Sequence, residues 1–340
     1  MQPADDSDLP QVDEADIRRA AARLRDGGLV AFPTETVYGL GADARNARAV
    51  QAVFEAKGRP ADHPVIVHLA DAAALEQWAT RVPDWARAWA AAFWPGPLTL
   101  VLPRAPGVLD AVTGGHGTVG LRVPSHPVAQ RLLRAFGGGI AAPSANRYGR
   151  TSPTCAADVR AAFDGMALEV LDGGPCAVGV ESTIVDCSGP TPHLLRPGAI
   201  TRAQLQRTAG VTLRDGARAT TPAPGRKPSH YAPRARVVLA AGQDAVVAVR
   251  EGLARGQRTG LLSSRRPADL PAEAAWLPLP ADLEGQARQL YRALHHADAL
   301  GLELLVAVPP APRGVGAAVH DRLRRAAGLG DGLPEARDAH

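Results

Sequence analysis

The string Lys57-Gly58-Arg59-Pro60 sets an ammonium and a guanidinium two residues apart, with a glycine between them and a proline after. A guanidinium can fork onto two phosphate oxygens while an ammonium acts as a compact point charge, so the pair suits a polyphosphate. Lysine is scarce here: of 38 basic residues only Lys57 and Lys227 are lysine, and the other 36 are arginine. A lysine kept against that bias fits a place where a planar guanidinium would not. Lys227 lies in Pro224-Gly225-Arg226-Lys227-Pro228-Ser229-His230-Tyr231-Ala232-Pro233, a second setting suited to phosphate. The competing reading of Lys57 and Arg59 is capping of a helix C-terminus by basic groups, which needs no ligand.

Further polar clusters stand at the ends of apolar runs, where loops carry binding groups. Phe32-Pro33-Thr34-Glu35-Thr36-Val37-Tyr38-Gly39-Leu40-Gly41 is rich in hydrogen-bonding side chains, as a ligand loop or as a polar turn. Thr118-Val119-Gly120-Leu121-Arg122-Val123-Pro124 encloses an arginine among apolar neighbours. Such an arginine pairs with a carboxylate, of the protein or of a ligand. Ser144, Asn146 and Ser152 bind ligand or organise turns. Gly179-Val180-Glu181-Ser182-Thr183 and Leu195-Arg196-Pro197-Gly198 add another loop and another arginine. His63 and His68 are five apart with no ligand set completed around them, so no protein metal site is expected. His68 remains a candidate pocket group.

No phosphate-binding Gly-x-x-x-x-Gly-Lys-Ser/Thr, no Gly-x-Ser-x-Gly elbow and no His-Glu-x-x-His helix occurs. Several strand-end loops rich in Thr, Ser, Arg and Lys fit a nucleotide site without a covalent nucleophile.

The elements that must position these groups alternate. Helices are expected over 14–27, 47–56, 71–80, 126–136 and 153–163, and strands over 29–32, 64–69, 98–102, 119–123, 140–142, 168–171 and 182–186. That alternation, to about residue 213, predicts an α/β domain with a mixed sheet. Residues 214–233 hold Pro222, Pro224, Pro228 and Pro233 with little apolar content, as a linker or functional loop does. Beyond them, strands over 237–240, 259–263 and 302–308 and helices over 244–255, 283–299 and 317–327 predict a small doubly wound domain. It lacks the dinucleotide glycine fingerprint. The expected divisions are an acidic tail (1–13), a catalytic domain (14–213), a linker or lid (214–233), a C-terminal domain (234–330) and a tail (331–340).

With 340 residues and 46% hydrophobic content, the chain is large enough for two cores. Residues 1–16 carry six acidic groups and no basic one; without them the net charge rises from +4 to +10. A basic body suits an anionic ligand or weak RNA binding without being diagnostic. Cys155, Cys176 and Cys187 lack paired spacing, and no apolar run reaches membrane-spanning length. A cytoplasmic protein that uses no membrane is expected.

Taken together, Phe32–Gly41, Lys57–Pro60, Trp94–Thr99, Thr118–Pro124, Pro143–Asn146, Ser152–Thr154, Gly179–Asp186, Leu194–Gly198 and His230–Pro233 resemble the threonylcarbamoyl-AMP synthase family in its long form. The resemblance implies a YrdC-like mixed twisted sheet with helices, followed by a Rossmann-like doubly wound domain. It implies a nucleotidyltransferase making threonylcarbamoyl-AMP and pyrophosphate from L-threonine, bicarbonate and ATP with Mg²⁺, for downstream tRNA threonylcarbamoyl transfer. By position in the family pattern, Thr34, His68, Arg122, Ala142 and Ser182 would surround threonine. Lys57, Arg59, Thr118, Ser144, Asn146, Ser152, Arg196 and Tyr231 would surround ATP, with Lys57 and Arg59 catalytic. At Arg226, Pro228 and Ser229 the chain departs from the family's lid pattern, which makes Tyr231 the stronger ligand candidate over Lys227 and Ser229.

Two rivals come from other classes. Hydrogenase-maturation carbamoyl transfer shares the first domain but needs zinc-finger cysteines and an acylphosphatase segment that this chain lacks. A double-stranded-RNA-binding protein would use a basic face, yet strand-end Thr and Ser clusters suit small ligands better.

Overall fold

The computed structural model of the chain describes residues 12–216, 221 and 230–329. Lys227, Ser229, most of the proline-rich segment, residues 1–11 of the acidic tail and the C-terminal tail lie outside the described residues.

The first helix, α1 (Glu14–Arg25), starts where Asp13 and Asp16 exchange side-chain-to-backbone hydrogen bonds, and it buries Ile17, Ala20, Ala21 and Leu24. Then follow β1 (Val30–Phe32), β2 (Gly39–Asp43), α2 (Ala47–Lys57) and β3 (Ile66–His68). Residues 72–77, expected as part of a helix, form a 3₁₀ turn instead. Its closing bond runs from Trp78 N to Leu75 O, one residue tighter than an α-helix. The chain continues through α3 (Asp84–Phe93), β4 (Leu98–Pro103), α4 (Asp110–Thr113), β5 (Thr118–Arg122), α5 (Pro127–Phe136) and β6 (Ile140–Ala141). The next helix, α6 (Ala156–Ala162), starts later than the apolar pattern suggests. Asp158 takes the backbone N–H groups of Thr154 and Cys155 and fixes the start there. The short strand β7 (Glu169–Val170), then β8 (Thr183–Asp186), β9 (His193–Arg196), α7 (Arg202–Ala209) and β10 (Arg214–Asp215) complete this part.

These strands form one mixed sheet in the order β10-β9-β8-β4-β5-β3-β6-β2-β1-β7. Alternate residues serve its two faces. Val30 and Phe32 pack with α1 and α5, while Ala31, Leu40 and Ala42 pack with α2 and α6. Farther along the sheet, Trp89 of α3 is fully buried, and its ring N–H donates to Leu205 O of α7. The strands at the middle of the sheet, β3, β5 and β6, carry His68, Arg122 and Ala141 in adjoining positions. Three candidate loops therefore open beside one another.

The C-terminal domain contains β11 (Arg236–Leu239), α8 (Gln243–Ala254), β12 (Thr259–Ser263), β13 (Ala275–Pro278), α9 (Leu283–Ala299), β14 (Leu304–Ala307) and α10 (Gly316–Ala326). Its strands are all parallel in the order β11-β14-β12-β13. Leu304 and Val306 face α8, and Leu305 and Ala307 face α9 and α10, so helices cover both sides as a parallel sheet requires.

The core under α9 and α10 does not end with this domain. It takes in Val37, Val180 and Tyr231, which reach it from the other part of the chain. At Gly179 the approach is backbone to backbone. Its φ is +80°, and a Cβ there would lie 2.4 Å from Arg288 Cα and 2.6 Å from Ala287 O. Only glycine meets both demands.

Candidate active site

Helix α2 ends by design of its sequence. Gly58 is left-handed at φ +63°, its N–H returning to the last turn, and Arg59 N bonds Phe54 O. Lys57 and Arg59 are thereby carried out of the helix on either side of the glycine. Arg59 then reaches the wall of a cleft with about 560 Å³ of empty space, including its mouth. The same cleft is lined by Thr34, His68, Arg122, Ala142, Ser144, Ser182, Arg196 and Tyr231. Nine of the residues singled out from sequence thus converge.

Four others do not line it. Lys57 is buried behind the wall, donating to Ser144 O at 2.6 Å and Asn146 O at 2.5 Å. Asn146 donates its amide N–H groups to Arg147 O and Arg150 O. Ser152 donates to the Glu181 carboxylate at 2.6 Å. Thr118 lies in an adjoining hollow that shares Ile66 with the cleft.

The charges are arranged in pairs. Arg122 is held by three neighbours: Gly96 O, Thr36 Oγ1 at 2.9 Å, and Glu35 Oε1, which lies 2.7 Å from Nη2. Neither Nη2 nor Oε1 makes an aligned hydrogen bond, so that last contact is ionic by distance alone. Thr34 Oγ1 lies 2.8 Å from Thr36 Oγ1, and Thr99 Oγ1 lies 2.8 Å from Ser182 Oγ. Arg196 donates to Ser182 O, Ser182 Oγ and the Tyr231 hydroxyl. Tyr231 has φ +63°, a strained setting for so bulky a residue and a mark of a functional position.

Burial is severe. It lowers the Lys57 ammonium well below its ordinary pKa, and the nearby cations Arg59 and Arg147 push the same way. Burial brings Arg59 down to about 10. Burial, then Arg122, lowers His68 to about 3, and His230 falls to about 3 mainly through burial. Both histidines are neutral at physiological pH. Glu181 goes the other way: burial opposes its ionisation, but Arg322, Arg196 and the Ser152 hydrogen bond prevail and hold it at about 2.

Among the described residues, eight have a buried side-chain polar atom without a hydrogen-bond partner, and six of these lie in or beside this cleft: Glu35, Arg59, His68, Arg122, Asn146 and His230. Folded proteins leave few such atoms, so a cluster of them marks a place prepared for polar ligand groups. No group of three His, Cys, Asp or Glu able to hold a metal occurs among the described residues. Thr36, Glu181 and His230 line the cleft without having been assigned from sequence. Their signal was their place inside candidate loops.

A family model described as telomere recombination matches residues 22–198, and a second, described as threonylcarbamoyl-AMP synthase, C-terminal domain, matches residues 200–328. The threonylcarbamoyl-AMP synthases of Pyrococcus abyssi and Bacillus subtilis are each 41% identical to this chain, over 329 and 333 residues. Those alignments cover 94% and 95% of this chain and 96% of each relative. The crystal structure of Pyrococcus abyssi Sua5 complexed with L-threonine superposes with a TM-score of 0.88 at 40% identity, covering 94% of this chain and 96% of that one. A mixed α/β sheet with a polar cleft, joined to a parallel-sheet domain, is the architecture of a family of enzymes. The chain belongs to the threonylcarbamoyl-AMP synthase family. No helix among the described residues is long and apolar enough to cross a membrane.

Proposed function

We propose that the chain is an L-threonylcarbamoyladenylate synthase, a nucleotidyltransferase that converts L-threonine, bicarbonate and ATP into threonylcarbamoyl-AMP and pyrophosphate, for threonylcarbamoyladenosine formation in tRNA. The observation that carries this reading is the cluster of buried polar atoms without a hydrogen-bond partner on Arg59, His68 and His230, in a chain of this family. Threonine fits between Thr34, His68, Arg122, Ala142 and Ser182, with Arg122 on the carboxylate. ATP fits along Arg59, Ser144, Arg196 and Tyr231, backed by Lys57, Thr118, Asn146 and Ser152.

The threonine nitrogen bonds to the bicarbonate carbon with loss of water, giving a carbamate. A carbamate oxygen then attacks the α-phosphorus, and the bond from that phosphorus to pyrophosphate breaks. An anionic nucleophile needs little base assistance, so catalysis rests on alignment and charge neutralisation. Arg59 and Arg196 supply charge at the wall. Lys57 supplies it from behind: its ammonium is disfavoured by burial and by two cations, and an arriving triphosphate reverses that bias. Mg²⁺ bound with ATP would neutralise further phosphate charge. Glu35, beside the cleft, and Glu181, in its wall, are each taken by an arginine, which supports an ion carried by the nucleotide and not by protein carboxylates.

The mixed anhydride is labile in water. Tyr231, its ring buried against the C-terminal domain, supports a role for segment 214–233 in shielding it. The test is pyrophosphate release. It should require threonine and bicarbonate together, and equal release when either is omitted would overturn the reading.

A further inference from the structure

Glu181 stands in the cleft wall next to Ser182, yet its carboxylate is held from the other side of the molecule. Arg322 of α10 brings Nε to 2.7 Å from Oε2, and the Tyr291 hydroxyl of α9 lies 2.9 and 2.8 Å from the two oxygens. Ser152 Oγ takes Oε1 at 2.6 Å. Arg322 also donates to Pro197 O, and its guanidinium lies 5.3 Å from the centre of the Tyr231 ring. Arg322 is completely buried.

A buried ion pair is a poor adhesive, because apolar residues of the same volume hold two layers together as well or better. Its placement supplies a reason. A carboxylate in the wall of a cleft for polyphosphate repels the ligand unless its charge is cancelled close by, and low-dielectric surroundings make that repulsion strong. Arg322 is the cation in direct contact with it that does not itself line the cleft. Arg59, at the wall, is therefore left to meet an anion.

We propose that Arg322 is a positioning residue for this site: it cancels the charge of Glu181 and fixes the 181–182 backbone and the Tyr231 ring, so the C-terminal domain completes the nucleotide subsite. The inference rests on the ATP reading of the cleft.

The test uses the full chain and measures ATP binding by calorimetry, with thermal unfolding in parallel. Arg322→Met removes the cation in contact with the Glu181 carboxylate, and ATP affinity should fall about tenfold or more. The double variant Glu181→Gln with Arg322→Met removes both charges and should return to within about threefold of the parent, even if it melts at lower temperature. Arg322→Lys keeps the charge and should fall between. The exposed Arg255→Gln is the control. A merely structural bridge predicts the contrary pattern: affinity unchanged in folded Arg322→Met, or a double variant as weak as the single one, and either result overturns the proposal. If Arg322→Met does not fold, the double variant and Arg322→Lys decide it, since weak binding by both is incompatible with charge cancellation. A parent chain that binds no ATP overturns the ATP reading and this inference together, whereas a parent that binds alongside an unaffected Arg322→Met overturns this inference alone.

Discussion

Glu35 Oε1 lies 2.7 Å from Arg122 Nη2, and both side chains are nearly inaccessible to water, yet the two atoms are not aligned as a hydrogen bond. The carboxylate holds the guanidinium in place at the cleft wall, where in the proposed reaction it faces a ligand oxygen. In the proposed reaction that oxygen belongs to the threonine carboxylate. Arg122→Lys keeps a charge but loses the fork, and threonine affinity should fall by about 1.5–3 kcal/mol, roughly ten- to a hundredfold. Threonine titration checks this, and an unchanged KM would remove Arg122 from the substrate site.

Selectivity follows from the hydroxyls beside it. Thr34 and Thr36 form one pair and Thr99 and Ser182 another, each at 2.8 Å. Serine keeps the substrate hydroxyl and loses a methyl, about 0.8 kcal/mol, so it should be a weak substrate. Valine leaves a polar pocket unpaired and should be rejected far more strongly. Comparable kcat/KM for valine and threonine would contradict this pocket.

Lys57 has two tasks. It donates to two buried carbonyls, Ser144 O and Asn146 O, and in the proposed mechanism it neutralises phosphate charge. Lys57→Ala should cost about 2–4 kcal/mol of transition-state stabilisation, so pyrophosphate release drops by roughly thirty- to a thousandfold. Thermal stability should drop too, because the carbonyls lose their donor. Turnover within a few-fold of the parent would rule out the catalytic task.

Acid should unfold the protein in a defined window. His68 and His230 titrate in the folded state at about 3 against an ordinary value of 6.5. Below pH 6.5 the unfolded chain binds protons that the folded chain refuses, so stability is full above 6.5 and declines as pH falls toward 3. Each histidine contributes at most about 1.4 kcal/mol per pH unit. Glu181, lowered to about 2 from 4.5, adds a second decline between those values. Urea midpoints at pH 7.5, 6 and 5 measure the first decline, and His68→Gln should flatten part of it. A midpoint that is constant over this range would contradict neutral buried histidines.

Much of this arrangement was legible in the sequence, and for physical reasons. Leu98–Leu102 and the run around Leu121 read as strands because short, mostly apolar stretches bounded by proline or glycine leave few alternatives. Strand β2 was missed since Gly39-Leu40-Gly41-Ala42-Asp43 has no β-branched residue, and β13 since Ala275-Trp276-Leu277-Pro278 has none either. Helix α3 also went unread, although Trp85 and Trp89 stand four apart. Site loops were visible as polar clusters at strand ends. What one chain of letters cannot reveal is pairing over distance. Nothing near Glu181 signals Arg322, 141 residues away, and nothing near Arg122 distinguishes a protein carboxylate from a ligand's.

Gly179 behaves as a shim. A side chain there would put a carbon 2.4 Å from Arg288 Cα, so Gly179→Ala would have to wedge helix α9 away by about an ångström to reach ordinary contact. The reach of Tyr291 to Glu181, from the same helix, is 2.8 Å, and a hydrogen bond stretched by that amount no longer exists. The clearance between two halves of the molecule is thus machined to less than one methyl group, by the residue that has none.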